Sequence, residues 1–201
     1  MGDAKVTRGN GLLEAFLAKK RARMAEKLIP DHLRKGAILD IGCGTTPFFL
    51  LNTKFNEKHG IDPEVNETGK TKDNIRLCKL DIEENSNLPF EDDSFEVITM
   101  LAVLEHLDRD KLALILSEIN RVLKKDGRLI LTTPSPKADG LLKMMAKLNL
   151  VSKEEMEEHK YAYDHDELKG HLIEAGFKEE HIKTGHFELF LNNWACAHKR
   201  V

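Results

Sequence analysis

A glycine, a cysteine and a second glycine follow a short apolar segment. They are typical of a tight turn that could bind a ligand through its backbone. The apolar residues Ala37–Ile41 lead directly into Gly42, Cys43 and Gly44. Glycines at this place let the chain turn tightly and approach a ligand closely. A dinucleotide-binding turn has the pattern G-x-G-x-x-G, but Pro47 stands at its third glycine position. The sequence therefore weakens the case for a pyrophosphate-binding turn and leaves NAD as the alternative ligand.

A carboxylate follows the next apparent strand, which ends at Ile61. Asp62 lies 20 residues beyond Gly42, and a carboxylate in this register can accept hydrogen bonds from both hydroxyls of a ribose. The dipeptide Asp62-Pro63 taken alone is typical of an ordinary turn at the end of a strand. Its register with Gly42 favours the binding of a ribose, with or without a phosphate.

Alternating strands and helices are needed to bring these residues together. Helical spacing predicts a leading helix over Leu12–Ile29 and another helix over about Asp110–Leu123. Thr46 is placed to cap, and Pro47 to open, a helix whose N-terminus faces the glycine turn. Strands are predicted at Ala37–Ile41 and in stretches that end near Ile61, Leu80, Met100 and Leu131. This alternation indicates a doubly wound α/β sheet with its ligand beyond the C-terminal ends of the strands.

The last third of the chain contains a predicted insertion and the closing elements. Residues 137–163 are rich in Leu, Met, Lys and Glu, with a capping box at Ser152 and Glu155, and are interpreted as a helical lid. A helix over Asp164–Ala175 follows, with its own capping box and a glycine at its end. Two strands, His181–Leu191 and Asn193–His198, could form an antiparallel hairpin. We therefore expect one domain of 201 residues: a helical cap (1–36), a core (37–136), the lid (137–163) and the last elements (164–201).

The composition excludes several classes of protein. With 41% hydrophobic and 32% charged residues the chain is typical of a globular protein and not of a disordered or fibrous one. A net charge of −3 provides no global attraction to nucleic acid or to an anionic membrane. Three cysteines are too few for a disulfide framework, and no apolar run could span a bilayer, so a cytoplasmic protein is expected.

A series of motifs in a fixed order resembles the class I S-adenosylmethionine-dependent methyltransferases, and in particular the branch that often modifies small molecules. The motifs are Ile38–Gly44, Gly60–Pro63, Leu88–Phe90, Asp93–Val97, Val103–Leu107 and Glu118–Gly127. The resemblance covers about residues 37–134, and the ordered set is far more specific than any single motif. It implies a Rossmann-like, mostly parallel seven-stranded sheet with helices on both faces and an antiparallel last strand.

The resemblance also implies a role for particular residues. It assigns Asp62, with Pro63, to the ribose of S-adenosylmethionine, Asp81 to the adenine, and Ile82 to the side of the adenine ring. It places Leu101 beside the methionine part of the cofactor. The same part of the cofactor should be lined by the glycine turn and the aspartate before it: Asp40, Gly42, Cys43 and Gly44. The product of the cofactor would be S-adenosylhomocysteine.

No universal catalytic residue is expected, because methyl transfer mainly requires alignment and the exclusion of water. Three side chains could accept a proton from an acceptor: His106, just past the fourth predicted strand, and His159 and Tyr161, in a cluster that also includes Tyr163 and His165. For His106 the favoured interpretation is a histidine at a helix start with a satisfied hydrogen bond. For the cluster, a solvated turn is equally compatible with the sequence. The histidine and cysteine spacing indicates no catalytic metal.

The acceptor cannot be identified from the sequence, and a small organic molecule is the favoured partner. Five basic residues crowd the leading helix and could contact RNA or lipid, although a solvated helix face is favoured: Lys19, Lys20, Arg21, Arg23 and Lys27. An apolar stripe in the lid, which starts at Leu141, could line the acceptor pocket. The alternatives are an RNA or lipid methyltransferase, an NAD-dependent oxidoreductase, and a non-catalytic module that binds the cofactor.

Overall fold

An eight-stranded mixed sheet forms the centre of the molecule. The computed structural model describes residues 12–66, 69–71, 73–136 and 161–200. The strands are β1 (Ala37–Ile41), β2 (Glu57–Asp62), β3 (Gly69–Lys70), β4 (Ile75–Lys79), β5 (Phe95–Leu101), β6 (Leu123–Pro134), β7 (Ile182–Phe187) and β8 (Asn192–His198). Their order across the sheet is β3-β4-β2-β1-β5-β6-β8-β7. Strands β2 to β4 lie on one side of β1 in the sheet, and β5 to β8 lie on its other side. The C-terminal ends of β1 and β5 therefore form the crevice where such sheets bind ligands.

The strand directions confirm the predicted fold class. The neighbouring pairs among β4, β2, β1, β5 and β6 are all parallel, while β8 is antiparallel to both β6 and β7. The hairpin of β7 and β8 was expected from the sequence. The two-residue strand β3, antiparallel to β4 at the edge of the sheet, was not.

Among the described residues, four helices lie on the two faces of the sheet: α1 (Leu12–Leu28), α2 (Phe48–Asn52), α3 (Arg109–Val122) and α4 (His165–Glu174). Short 3₁₀ turns occur at Asp31–Lys35, Leu104–His106 and Glu179–His181. Buried residues of α1 and α2 share one apolar cluster with one face of the sheet, whereas those of α3 and α4 share another cluster with the opposite face. Apolar side chains therefore fill the space between the sheet and the helices on both faces, as a doubly wound fold requires.

Helix α3 packs as its periodicity predicts. Five apolar side chains at helical spacing, from Leu112 to Val122, are buried on its inner face. Helix α4 begins with the predicted capping box: the Asp164 side chain accepts from the backbone of Glu167, and Glu167 reaches back to the backbone of Asp164. Gly176 follows the helix with a φ of +94°, which glycine adopts without steric cost.

Three local expectations are wrong. Thr46 does not cap α2: Pro47 precedes the first helical residue, no side chain caps the helix, and the Thr46 carbonyl instead accepts from Phe48 N–H at 2.7 Å. No helix lies between β4 and β5, where residues 80–94 form turns, so the alternation is incomplete. The predicted helix over Asp110–Leu123 does not include Leu123, which begins strand β6 because it pairs with Phe95 across an irregularity in the ladder.

The predicted lid falls almost entirely outside the described residues. This applies to the capping box at Ser152 and Glu155, to the apolar stripe and to His159. The four-part division of the chain into cap, core, lid and last elements stays a prediction. Within the described ranges, the helices lack the length and apolar character that crossing a lipid bilayer needs.

Candidate active site

The turn after β1 folds tightly because its two glycines adopt positive φ angles. Gly42 has a φ of +74° and Gly44 a φ of +71°, values that side chains disfavour. The N–H groups of Gly42 and Cys43 both donate to the Ile61 carbonyl, at 2.8 and 3.3 Å, which fixes the turn to the end of β2. A Cβ on Gly42 would overlap the Val103 side chain. Glycine is thus required here both by the backbone angle and by close packing.

Gly44 differs from Gly42 in having no close neighbour among the described residues. A Cβ built on Gly44 meets no heavy atom of that part of the chain within 4 Å. The positive φ of this residue and the space beside it allow a ligand to approach the backbone directly. This opening is the feature of the turn that fits a bound cofactor.

Asp62 joins the end of β2 to the glycine turn. One of its carboxylate oxygens, Oδ2, accepts from the Gly44 N–H at 2.9 Å, and the other, Oδ1, accepts from the Glu64 N–H at 2.8 Å. The residue is buried. An ionised carboxylate has about four acceptor positions, so it can bond to ribose hydroxyls in addition to these amides. Pro63, the next residue, is exposed in the turn that follows.

Asp40 is a buried carboxyl group in the middle of the sheet. In the β1–β5 register it stands opposite Thr99, whose hydroxyl donates to Asp40 Oδ1 at 2.6 Å. Burial raises the pKa of Asp40 to about 7; the Thr99 hydrogen bond lowers the pKa and the negative charge of Asp62 raises it. A positively charged ligand near Asp40 would favour its ionised form.

Cys43 packs between the turn and β2. The residue is buried, and a Cβ on Gly60 would stand only 2.7 Å from its sulfur. Burial raises the pKa of the Cys43 thiol, and the charges of Asp40 and Asp62 raise it further. The thiol is therefore protonated and unreactive, and the structure supports a packing role for this side chain.

The three remaining residues assigned to the cofactor lie at the ends of β4 and β5. Asp81 is half-buried and accepts from the Glu83 N–H at 2.8 Å. The preceding residue, Leu80, donates its N–H to the Asp62 carbonyl at 3.4 Å, which brings the end of β4 beside Asp62. Ile82 is buried in the core, and Leu101 is the half-buried last residue of β5. All three therefore belong to the C-terminal edge of the sheet.

The predicted acceptor side is built around the 3₁₀ turn that follows β5. His106 is half-buried in this turn. The backbone N–H of Tyr161 donates to the Glu105 carbonyl at 3.3 Å, so the turn and the segment before α4 are in contact. The Arg109 guanidinium carbon lies 4.7 Å from the centre of the Tyr161 ring and 5.3 Å from that of Tyr163. The structure therefore brings Tyr161 close to the turn that contains His106, while His159 is outside the described residues.

Several buried polar groups on this side have no hydrogen-bond partner within the described ranges. They are both carboxylate oxygens of Glu105, the hydroxyls of Thr133 and Tyr163, the Asn193 Oδ1 and the His165 Nε2. Glu105 is completely buried. Buried polar groups in folded proteins are nearly always hydrogen-bonded. These groups are exceptions to that rule in the described part of the chain.

Comparison with known proteins assigns the family. The model of a family described as "Methyltransferase domain" matches residues 11–182, which is most of the chain. The chain belongs to the class I S-adenosylmethionine-dependent methyltransferases. Demethylmenaquinone methyltransferase of Staphylococcus haemolyticus is 31% identical over 180 residues, which cover 76% of this chain and 73% of that protein.

One further relative and one solved structure are also similar to this methyltransferase. An uncharacterized protein of Methanocaldococcus jannaschii is 34% identical over 106 residues, and the match spans 53% of this chain but only 43% of that protein. A crystal structure of a SAM-dependent methyltransferase from Archaeoglobus fulgidus superimposes with a TM-score of 0.67 over 91% of this chain and 94% of the other. At 18% sequence identity this second likeness shows the fold alone.

The site of this methyltransferase includes residues that sequence reasoning did not single out. Thr99 lies 59 residues from Asp40 in the chain, and only the strand register brings its hydroxyl to the carboxyl group. Glu105 was part of a motif but was given no role. Asn193 lacked a sequence signal altogether. Within the described residues no group of three or more His, Cys, Asp or Glu side chains is arranged to hold a metal ion.

Proposed function

We propose that this methyltransferase transfers a methyl group to an O, N or C atom of a small organic acceptor and releases S-adenosylhomocysteine. When bound, S-adenosylmethionine supplies a methyl group on a positively charged sulfur. The protein's part is to hold the two reactants in line and to exclude water. The observation that carries the proposal is the opening beside Gly44, directly next to the carboxylate of Asp62.

Asp62 is the proposed ligand of the ribose. Its carboxylate is held in place by the Gly44 and Glu64 amides, so it is already oriented before the ribose binds. The backbone of Gly44 and the buried Asp40 then lie along the methionine part. Asp81 and Ile82 form the adenine end, because Leu80 ties the end of β4 to Asp62.

A small organic acceptor fits better than a nucleic acid. One relative, from Staphylococcus haemolyticus, is named demethylmenaquinone methyltransferase, and demethylmenaquinone is an organic molecule. The buried polar groups around Glu105 also lie inside the fold and do not form a charged surface that could follow a phosphate backbone. All three cysteines are free thiols, which supports a reducing compartment and hence the cytoplasm as the proposed location.

The test is calorimetric titration of the wild-type protein with S-adenosylmethionine, S-adenosylhomocysteine and NAD in separate experiments. Both sulfur ligands should bind and NAD should not. In the variant Asp62→Ala, affinity for the sulfur ligands should fall by about 1.5 to 3 kcal/mol, because hydrogen bonds to a charged group are worth roughly this much. The exposed Asp73→Ala is the matched control and should bind like the wild type. Binding of NAD alone would overturn the proposal, and unchanged affinity in Asp62→Ala would overturn the assignment of Asp62.

A further inference from the structure

A pocket lies against strands β6, β7 and β8, away from the glycine turn. Its volume is about 310 Å³, and small-molecule sites in proteins range from roughly 300 to 1,000 Å³. Several of its lining side chains are exposed, so the pocket can be reached from solvent. Glu180 contributes its carboxylate to the lining, whereas three lining side chains carry a permanent positive charge: Arg128, Lys183 and Arg200.

The strand registers explain why these basic side chains meet. Arg128 of β6 stands opposite His198 of β8, and Lys183 of β7 stands opposite Cys196 of β8. Residues two apart on a strand share a face, and directly opposed residues on neighbouring strands point to the same side. Both pairs therefore lie on one face of the sheet. Arg128 also pairs with Val97 near the start of β5, so the pocket lies at the opposite end of the parallel strands from the cofactor crevice.

The cations of this pocket are not neutralised by the carboxylates around them. In the part of the chain that the structure describes, Lys183 forms neither a hydrogen bond nor an ion pair, and the same is true of the Glu180 carboxylate. Arg200 lies 3.9 Å from an Asp126 oxygen, and both side chains are exposed. A surface pair at this distance contributes little. The pocket therefore has an excess of positive charge.

Arg128 retains hydrogen-bond donors that the protein does not use. Its Nη1 donates to the Leu28 carbonyl at the C-terminal end of α1, at 2.7 Å, and its guanidinium group also interacts with the Cys196 thiol. A guanidinium group has five N–H donors in a planar fork, which fits the oxygens of a phosphate or a carboxylate. Several of these donors are therefore available to an anion, while the bond to Leu28 holds the side chain in place.

The histidine between these cations responds to their charge. Burial lowers the pKa of His198, a hydrogen bond with the Asp126 carbonyl opposes this effect, and the charges of Arg200 and Arg128 add to it. The ring centre of His181 lies 6.3 Å from that of His198. A concave site with one sign of charge attracts ions of the opposite sign. A bound anion would in turn favour the protonated form of His198.

We propose that this pocket is a second ligand site, which binds the phosphate or carboxylate group of a small molecule between Lys183 and Arg128. The two residues are two strands apart, or about 10 Å between their backbones, and their long side chains can reach one anion from both sides. Phosphate and carboxylate oxygens share the required chemistry, because both accept charge-assisted hydrogen bonds. The inference goes beyond methyl transfer and does not depend on it, since the two sites lie at opposite ends of the strands.

The experiment is calorimetric titration with inorganic phosphate and with malonate, a dicarboxylate of similar charge, at an ionic strength held constant with sodium chloride. The variants are Lys183→Gln and Lys183→Glu. Lys70 provides the matched controls Lys70→Gln and Lys70→Glu, because it is an exposed lysine of β3, at the opposite edge of the sheet from β7. At least one anion should bind the wild type and both controls. The dissociation constant should rise about threefold to tenfold in Lys183→Gln and more than tenfold in Lys183→Glu.

The two anions distinguish the two kinds of ligand. Tighter binding of phosphate than of malonate would identify a phosphate group as the partner, the reverse would identify a carboxylate, and equal affinities would support a site for either group. If neither anion binds the wild type at millimolar concentration, the inference is overturned. It is also overturned if the Lys70 variants lose as much affinity as the Lys183 variants, because the attraction is then general to the surface. If Lys183→Glu does not fold, Lys183→Gln provides the same comparison without the reversed charge.

NMR titration of the His198 ring locates the bound anion. In the wild type the pKa of His198 should rise when the tighter-binding anion is present, because the anion offsets the charges of Arg128 and Arg200. A bound anion that leaves the pKa of His198 unchanged would lie elsewhere and would overturn the inference. Titration of the same samples with S-adenosylmethionine keeps the two proposals separate: the Lys183 variants should bind it like the wild type. Failure of the wild type to bind S-adenosylmethionine would refute the proposed function and leave the anion site standing.

Discussion

The protonation of Asp40 should make the stability of the free protein depend on pH. In the folded state burial raises the pKa of Asp40 to about 7; the Thr99 hydrogen bond opposes this rise and the charge of Asp62 adds to it. In the unfolded chain the carboxyl group has its ordinary pKa of 3.8. Between these two pH values the folded protein keeps a proton that the unfolded chain has released. The folded state therefore loses stability as the pH rises from about 4 to 7, and the loss is complete above pH 7.

The size of this effect follows from the two pKa values. The folded and unfolded values of about 7 and 3.8 differ by roughly three pH units. Each unit corresponds to 1.36 kcal/mol, so the ionisation of Asp40 should cost about 4 kcal/mol of unfolding free energy at pH 8 relative to pH 4. In Asp40→Asn this term is absent, because the amide does not titrate and can still accept the Thr99 hydrogen bond.

Urea unfolding of the wild type and of Asp40→Asn at pH 4, 5, 6, 7 and 8 would test this reasoning. The advantage of Asp40→Asn over the wild type should grow by about 4 kcal/mol between pH 4 and pH 8, which is a shift of about 2 M in the urea midpoint. Burial lowers the pKa values of His59 and His198, so these two residues also contribute to the pH dependence of stability. Both proteins contain them, so their contributions cancel in the difference. A difference that stays constant across this pH range would refute the assignment of a raised pKa to Asp40.

Two further predictions concern the cofactor site. If the ionised Asp40 faces the positively charged part of S-adenosylmethionine, the affinity measured by calorimetry should rise by up to about tenfold for each unit by which the pH increases towards 7. In Asp40→Asn the affinity should not change with pH. The two glycines of the turn should also respond differently to alanine. Gly44→Ala should lose about 1 to 2 kcal/mol of stability from its backbone angle, and its cofactor affinity should fall at least tenfold. Gly42→Ala should be less stable than Gly44→Ala in urea unfolding, because its Cβ also overlaps Val103; equal stabilities would contradict the packing argument.

The fold could be predicted because its signals are local and ordered. The leading helix, the apolar strand before Gly42 and the capping box at Asp164 each depend on residues close together in the chain. The site could be located because its residues stand at the ends of strands, and the C-terminal ends of parallel strands meet at one edge. The residues assigned to the cofactor do lie along this edge. Their individual roles remain predictions.

What could not be predicted depends on contacts between distant parts of the chain. The Thr99 hydroxyl reaches Asp40 only because β1 and β5 pair in one particular register. Thr46 has the right residue type for a cap, but Pro47 takes the capping position and leaves α2 without a side-chain cap. The complete burial of Glu105 results from packing around the turn after β5. None of these features has a periodicity or a spacing that a single sequence could reveal.

The charges around the glycine turn bear on which ligand the site can bind. Asp40 and Asp62 are both buried, and the negative charge of Asp62 raises the pKa of Asp40. A negatively charged pyrophosphate beside these two groups would be repelled, and it would favour the protonated form of Asp40 still further. A sulfonium ion has the opposite effect, because it lowers the cost of ionising Asp40. The buried Asp40 therefore disfavours a pyrophosphate beside the turn and favours a sulfonium ion, and binding of S-adenosylmethionine should release a proton when the pH lies near or below 7.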